Sequence, residues 1–169
     1  MKERELLEKV KRDYDLISSY FNITRKNDWK EFNIFKKYIE DYLFLKSKNY
    51  ILKVLDIGCG NGRLVNFLES LNVRYEYIGI DNSTGQINEA LENNKSNRIN
   101  QNNKIHFEVG DILDLSNLSE NYFDIVFCIA VFHHLPNKNT RNLALKNIYK
   151  ITQKEGLIMM TSWNLFQLK

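Results

Sequence analysis

Along residues 3–21, Leu6, Val10, Tyr14, Ile17 and Phe21 recur three and four positions apart. That spacing predicts an amphipathic helix with those five side chains on its buried face. A second helical pattern runs from about Asp28 to Leu45 and turns Phe32, Phe35, Ile39 and Tyr42 or Leu43 inward. Between the two patterns lies a short polar connection, Thr24-Arg25-Lys26-Asn27-Asp28, ending in the large aromatic Trp29. From Ile51 onward the period changes. Short apolar runs predict strands at 52–57, 76–81, 105–109, 123–129 and 156–162, with helices at about 62–70, 83–92 and 139–152. Runs such as Val54-Leu55-Asp56-Ile57 and Phe123 to Ile129 are apolar at most positions on both faces, as strands covered by helices on both sides require. Strand–helix alternation implies parallel strands joined by right-handed crossovers. Asn93 to Lys104 is polar, rich in Asn and without period, and reads as a flexible loop.

Composition adds bounds. A chain of 169 residues suits one domain, and 43 % apolar with 27 % charged residues is ordinary for a folded globular protein. No apolar run approaches the roughly 18 residues needed to cross a bilayer, and Met1 to Lys11 is charged where a signal peptide would be apolar. The expectation is a cytoplasmic protein with no membrane segment. Cys59 and Cys128 sit in apolar segments and cannot supply a disulfide framework or a four-ligand zinc site, so both are expected to be buried, reduced thiols and no metal is expected. The net charge of +3 is uneven: residues 1–53 hold 13 Lys/Arg against 9 Asp/Glu, and the rest hold 11 against 12. A mildly basic N-terminal part suits an anionic partner, but a solvated helix face explains it more simply.

The most informative segment is Val54-Leu55-Asp56-Ile57-Gly58-Cys59-Gly60-Asn61-Gly62, a buried strand entering a glycine-rich turn. Glycines let backbone turn sharply and approach a ligand closely, and such a turn at the carboxyl end of a central strand is where open α/β sheets bind ligands. A dinucleotide fingerprint would need its third glycine at position 63, which is Arg63, and no Lys-Ser/Thr pair makes a phosphate loop. The second strand ends in Asp81, 23 residues after Gly58, where a carboxylate can accept from both ribose hydroxyls of an adenosine-containing ligand. Ser83 reads as the N-cap of the next helix. The third strand ends in Gly110-Asp111-Ile112, an acid able to accept from an adenine amino group beside an apolar residue able to pack on the ring.

Asp56, Gly58, Gly60, Gly62, Asp81, Asp111 and the strand ending Cys128-Ile129-Ala130, in that order, resemble the class I methyltransferase family over about residues 50–163. The resemblance implies an α/β, doubly wound, Rossmann-like sheet, mostly parallel, with five strands here in the order 3-2-1-4-5 and helices at the N-terminus. It implies S-adenosyl-L-methionine as cofactor, bound by Asp56, Gly58, Cys59, Gly60, Gly62, Asp81, Asn82, Asp111, Ile112 and Ala130. Asp81 would hold the ribose, Asp111 and Ile112 the adenine, and Ala130 would border the methionine part.

Outside that core, Tyr14-Asp15, Phe21 to Arg25 with Trp29, Ile129-Ala130-Val131-Phe132-His133-His134-Leu135, Arg141 and Thr161-Ser162-Trp163-Asn164 are similar to the tRNA wobble-uridine methyltransferases, which esterify a carboxymethyl group on uridine, and to small bacterial relatives. A carboxylate is ionised at neutral pH, so its methylation needs positioning and charge neutralisation rather than a strong base. On this reading the catalytic residues are Arg25, His133, His134 and Arg141. The two arginines would clamp the acceptor carboxylate or a neighbouring phosphate. One histidine would orient the acceptor while the other stacks or caps the loop, and Trp29 would close the pocket or stack on a base. Each of these residues also has a plain structural reading: surface arginines, a loop histidine, a core tryptophan. His106 reads as structural. The partners implied are tRNA and, by analogy with eukaryotic relatives, a small zinc-binding activator subunit.

Family members continue past the fifth strand with a helix and two more strands. The expectation is therefore one domain over 1–169, a helical cap at 1–50 and a core at 51–169 lacking the last two strands, as a fragment or one piece of a split protein. Two other readings stay open: a small-molecule methyltransferase using His133 or His134 as base, and a cofactor-binding module without activity.

Overall fold

The computed structural model describes residues 3–24, 32–95 and 103–162. Two helices lead, α1 (Glu3–Thr24) and α2 (Phe32–Phe44). The core follows as β1 (Leu52–Ile57), α3 (Leu64–Ser70), β2 (Tyr75–Asp81), α4 (Thr84–Asn93), β3 (Lys104–Val109), β4 (Phe123–Ile129), a single 3-10 turn (Phe132–His134), α5 (Lys138–Ile151) and β5 (Thr152–Thr161). The sheet order is β3-β2-β1-β4-β5, and every pairing is parallel. The expected strand order is therefore the one found.

Period two along the strands builds two cores. Val54, Tyr77, Phe107, Ile125 and Phe127 face one side, where Ile39 of α2 and Leu68 of α3 cover them. Leu55, Ile57, Ile80, Val126 and Cys128 face the other, under Ala144 and Ile148 of α5. Both cysteines are buried and free. None of the described helices is long and apolar enough to cross a membrane.

At the amino end of β4, Asp124 is fully buried. It accepts from Tyr42 OH and Tyr50 OH at 2.6 Å each, from the Lys53 backbone N–H at 2.7 Å, and from the Gln153 amide. This knot ties α2, the segment before β1, and the start of β5 to the end of the sheet opposite the glycine turn.

The structure departs from the sequence expectation in four places. Helix α3 begins at Leu64 rather than 62, because Gly62 remains in the left-handed region at φ 76° and continues the turn. Strand β5 starts at Thr152, not 156. Its register against β4 jumps from Phe123↔Thr152 to Ile125↔Leu157, and Glu155 at φ 67° absorbs the extra residues. Ile17 is 44 % exposed instead of buried. The face of α1 turned toward α4 is polar: Ser83 Oγ (2.6 Å) and Gly85 N–H (3.2 Å) donate to Asp15, and the Asn22 amide donates to Glu89. Finally, Asn94 is no loop residue. It is buried and its amide donates to Ala90 O at 3.0 Å and Gly62 O at 3.3 Å. Residues 96–102 of the expected loop lie outside the described residues.

Candidate functional site

Beyond the end of β1 the backbone must reverse toward α3. Gly58, Gly60 and Gly62 all adopt positive φ, at 71°, 54° and 76°. Such angles strain any residue with a Cβ. Gly58 N–H and Cys59 N–H donate to Ile80 O at 2.7 and 3.0 Å, which fixes the turn against the end of β2. There Asp81 accepts from Gly60 N–H at 3.0 Å with one oxygen and from Ser83 N–H at 2.9 Å with the other. Each carboxylate oxygen keeps a second lone pair, so two further donors can be accepted. Ser83 is the N-cap of α4.

These elements wall a cavity of about 750 Å³, within the usual size range for small-molecule sites. Of the residues expected at the cofactor, Asp56, Gly58, Cys59, Gly60, Asp81, Asn82, Asp111, Ile112 and Ala130 line it. Gly62 does not. It stands behind the wall, where a Cβ would lie 2.6 Å from the Asn94 amide and 2.8 Å from the Phe107 ring. Asp111 also accepts the Leu113 N–H at 2.9 Å, so it closes its own turn as well as facing the cavity. Ala130 has φ 57°, unusual for a residue with a side chain, and is held there by Thr161, whose carbonyl (3.1 Å) and hydroxyl (3.0 Å) both accept its N–H.

The lining is acidic. Burial raises the Asp81 carboxyl above its usual range. Burial also pushes Asp56 up to about 7, against the hydrogen bond donated by Tyr77 OH at 2.8 Å, which lowers it. Acids facing a glycine cradle suit a ligand that joins ribose hydroxyls to positive charge, and S-adenosylmethionine carries both. The residues present fit that cofactor.

Two predictions belong here. Gly58→Ala places a Cβ 2.2 Å from Val131 Cγ2 at a left-handed position. We expect a loss of about 1–3 kcal/mol, read as a lower melting temperature together with weaker S-adenosylhomocysteine binding. Unchanged melting and binding would contradict the cradle geometry. The second concerns pH. A folded-state value near 7 against an ordinary 3.8 means that Asp56 favours folding while protonated. Its contribution is complete below about pH 4, declines as pH rises, and is gone above about 7. Denaturant titrations should show wild type losing stability over that window relative to Asp56→Asn; parallel curves would refute the burial argument.

The far end of the cavity is roofed by α1, through Leu7, Glu8, Val10, Lys11 and Tyr14. Tyr14 OH and His134 Nε2 lie 3.0 Å apart, and the His133 and His134 rings are 4.2 Å apart. Both histidines line the cavity. Burial lowers the pKa of each, and His134 is lowered further by His133, which holds the pair neutral near pH 7. Arg141 is placed differently from its expected clamp position: its Nε donates to Leu135 O at 3.0 Å, and it does not line the cavity. Helix α5 starts at Lys138 and directs this side chain to the loop before it. Arg25, Trp29, Trp163, Asn164 and the side chain of Phe21 lie outside the described residues. Among the described residues the cations lining the cavity are Lys11 and Arg63. Sequence reasoning passed over Lys11, although it stands three positions before Tyr14 and so shares its helix face. It also passed over Gln86, which lines the cavity from α4.

Comparison with known proteins agrees with this geometry. The family described as "Methyltransferase domain" matches residues 48–168. A tRNA (carboxymethyluridine(34)-5-O)-methyltransferase of Arabidopsis thaliana is 29 % identical over 154 residues, covering 91 % of this chain and 32 % of the plant protein. A phosphoethanolamine N-methyltransferase of Plasmodium falciparum is 32 % identical over 111 residues, covering 66 % and 39 %. Among solved structures, a SAM-dependent methyltransferase of Methanosarcina mazei superposes with a TM-score of 0.55 at 26 % identity, covering 69 % and 52 %. The chain thus spans between about a third and about half of the length of these relatives. With the strand order, the glycine cradle and the acidic strand ends in place, the chain belongs to the methyltransferase-domain family.

Proposed function

We propose that this domain methylates the carboxylate of a carboxymethyl group on the wobble uridine of tRNA. The observation that carries the proposal is the acceptor end of the cavity: two histidines held neutral by burial, one of them engaged by Tyr14, in a cavity that Lys11 also lines. Such an end offers neutral hydrogen-bonding groups and a cation, which suits an anion that needs only charge balance and orientation. When bound, S-adenosylmethionine supplies a sulfonium methyl that an ionised carboxylate oxygen can take directly, with no proton to remove.

The chain's own residues do the rest. Asp81 and the glycine turn bind the adenosyl part, and Asp111 and Ile112 border the adenine. Lys11 offsets the acceptor charge and the His133–His134 pair orients it, with Tyr14 fixing His134. Helix α1 excludes water from above. Arg141 acts as a positioning residue for the loop carrying the histidines. The named activity of the Arabidopsis relative supports the acceptor. A small activator subunit, implied by the family resemblance, belongs to the same proposal.

A second reading, a small-molecule acceptor, is favoured by the Plasmodium relative. The test is methyl transfer from labelled cofactor to tRNA bearing carboxymethyluridine, with and without an activator subunit, read by nucleoside mass spectrometry. A methyl ester at the wobble position, with a rate flat across the histidine range, is expected. Bound cofactor with no ester under either condition would reject tRNA and favour the small acceptor.

A further inference from the structure

Helix α5 carries Lys138, Arg141, Lys146 and Lys150 and no acidic residue. Helix α1 sets five Asp/Glu against four Lys/Arg, α2 sets two against two, and α3 and α4 hold acids alone. Among the described residues α5 is thus the only helix with a basic excess, and it lies in the part of the chain whose total charge is slightly negative.

The arrangement is unfavourable for the helix itself. Lys138 and Arg141 occupy its first turn, where the helix dipole favours acids over cations. They stand three positions apart, and Lys146 and Lys150 stand four apart, so like charges adjoin on the surface. Helices α1 and α2 place residues at that spacing in pairs of opposite sign: Arg4–Glu8, Lys9–Asp13 and Lys36–Glu40. On α5, among the described residues, only Lys150 meets a carboxylate, Glu120 at 2.8 Å. A merely solvated face gains nothing by excluding acids, whereas a polyanion lying on it neutralises the repulsion.

Ala144, Ile148 and Ile151 point into the core. That leaves Lys138, Asn142, Lys146 and Tyr149 along the opposite, exposed side. Tyr149 is 79 % exposed and flanked by Lys146 and Lys150. Aromatic rings interleaved with cations suit bases carried on a phosphate backbone. From Lys138 to Lys150 the cations span about 18 Å of helix axis, enough for several successive phosphates. A membrane-surface helix would present its apolar stripe outward, and that of α5 is buried against the sheet. The face also starts in the right place. Helix α5 follows the histidine turn, and Arg141 Nε donates to Leu135 O at 3.0 Å, so the first turn adjoins the acceptor end of the cavity.

We infer that the exposed face of α5 is an RNA-docking surface, on which Lys138, Lys146 and Lys150 meet successive phosphates and Tyr149 packs on a base or ribose. The acceptor nucleotide is then delivered to the histidines at the first turn. RNA as the occupant rests on the tRNA reading above, but the affinity comes from the backbone and not from the modified base.

The test is binding of unmodified tRNA to the full chain, by fluorescence anisotropy across a salt series. Lys138→Gln/Lys146→Gln should weaken binding by about tenfold or more and lower the slope of log affinity against log salt by about 1–2. The same variant should keep wild-type S-adenosylhomocysteine affinity and melt at the wild-type temperature or above, since both like-charge pairs are gone. Lys36→Gln/Lys37→Gln on α2 removes the same net charge and should change tRNA binding by no more than about twofold. Equal effects of the two double variants would overturn the inference, because net charge alone would then matter. An unchanged affinity and slope in the α5 variant would overturn it too, even with the methyl ester formed by wild type, as would a wild-type chain that binds no tRNA. A loss seen only with vesicles rich in phosphatidylserine would make the face a membrane surface instead. Binding of tRNA that depends on α5, with no ester formed, would uphold the surface and reject only the acceptor.

Discussion

Asp81→Ala is expected to raise the dissociation constant for S-adenosylhomocysteine by about a hundredfold or more. The carboxylate ends β2 at the lip of the cavity and carries one unused lone pair on each oxygen after accepting Gly60 N–H and Ser83 N–H. Two hydrogen bonds from ribose hydroxyls to a charged acceptor are worth about 1.5–3 kcal/mol each. Even the lower sum, about 3 kcal/mol, is a factor above one hundred in affinity. The substitution has a second effect in the same direction. Without the carboxylate, the Gly60 and Ser83 amides lose their acceptor, and the glycine turn loses a link to the cap of α4. Asp81→Asn separates the two contributions: it keeps an acceptor oxygen for one of them and presents an NH₂ group where the other amide points. Calorimetry should therefore place Asn between wild type and Ala. Unaltered affinity in Asp81→Ala would remove Asp81 from the site.

What could be read in advance follows from how each feature is encoded. The glycine turn was legible because left-handed backbone at 58, 60 and 62 excludes most other residues. The strands were legible because helices on both faces force apolar residues at successive positions. The buried face of α1 was not, since hydrophobic period picks out Ile17, whereas Asp15 and Asn22 meet α4 through hydrogen bonds and no apolar signal marks them. Arg141 was misplaced for a related reason. Its type suits an anion, but its position one turn into α5 puts the carbonyl of Leu135 within reach first. The β5 bulge left only Gly156 as a trace, next to the left-handed Glu155.

The knot around Asp124 was illegible for the deepest reason. Its members come from 42, 50, 53, 124 and 153, with no spacing that a sequence could display, and it carries the largest stability prediction. Asp124 is wholly buried and accepts from two phenols, one backbone amide and one side-chain amide. Burial first, and then the Asp124 carboxylate, hold the Tyr42 and Tyr50 phenols above their ordinary range, so both remain protonated donors at any working pH. Asp124→Ala leaves four donors without their acceptor. Each costs about 1–3 kcal/mol when stranded, and because neighbouring losses share relaxation and water entry they will not sum in full. A net loss of about 4 kcal/mol is expected, which for a chain of this size lowers the melting temperature by roughly 8–16 °C. Tyr42→Phe or Tyr50→Phe removes one donor and leaves the acceptor with three, so each should cost about a third as much. The knot sits at the amino end of β4 and the cofactor cavity at the carboxyl ends. Folded Asp124→Ala protein should therefore bind S-adenosylhomocysteine with wild-type affinity below its melting range. A shift of only a few degrees would mean that water replaces the carboxylate at little cost. A drop in cofactor affinity at full foldedness would mean that the two ends of the sheet are coupled, which rigid parallel strands between them do not predict.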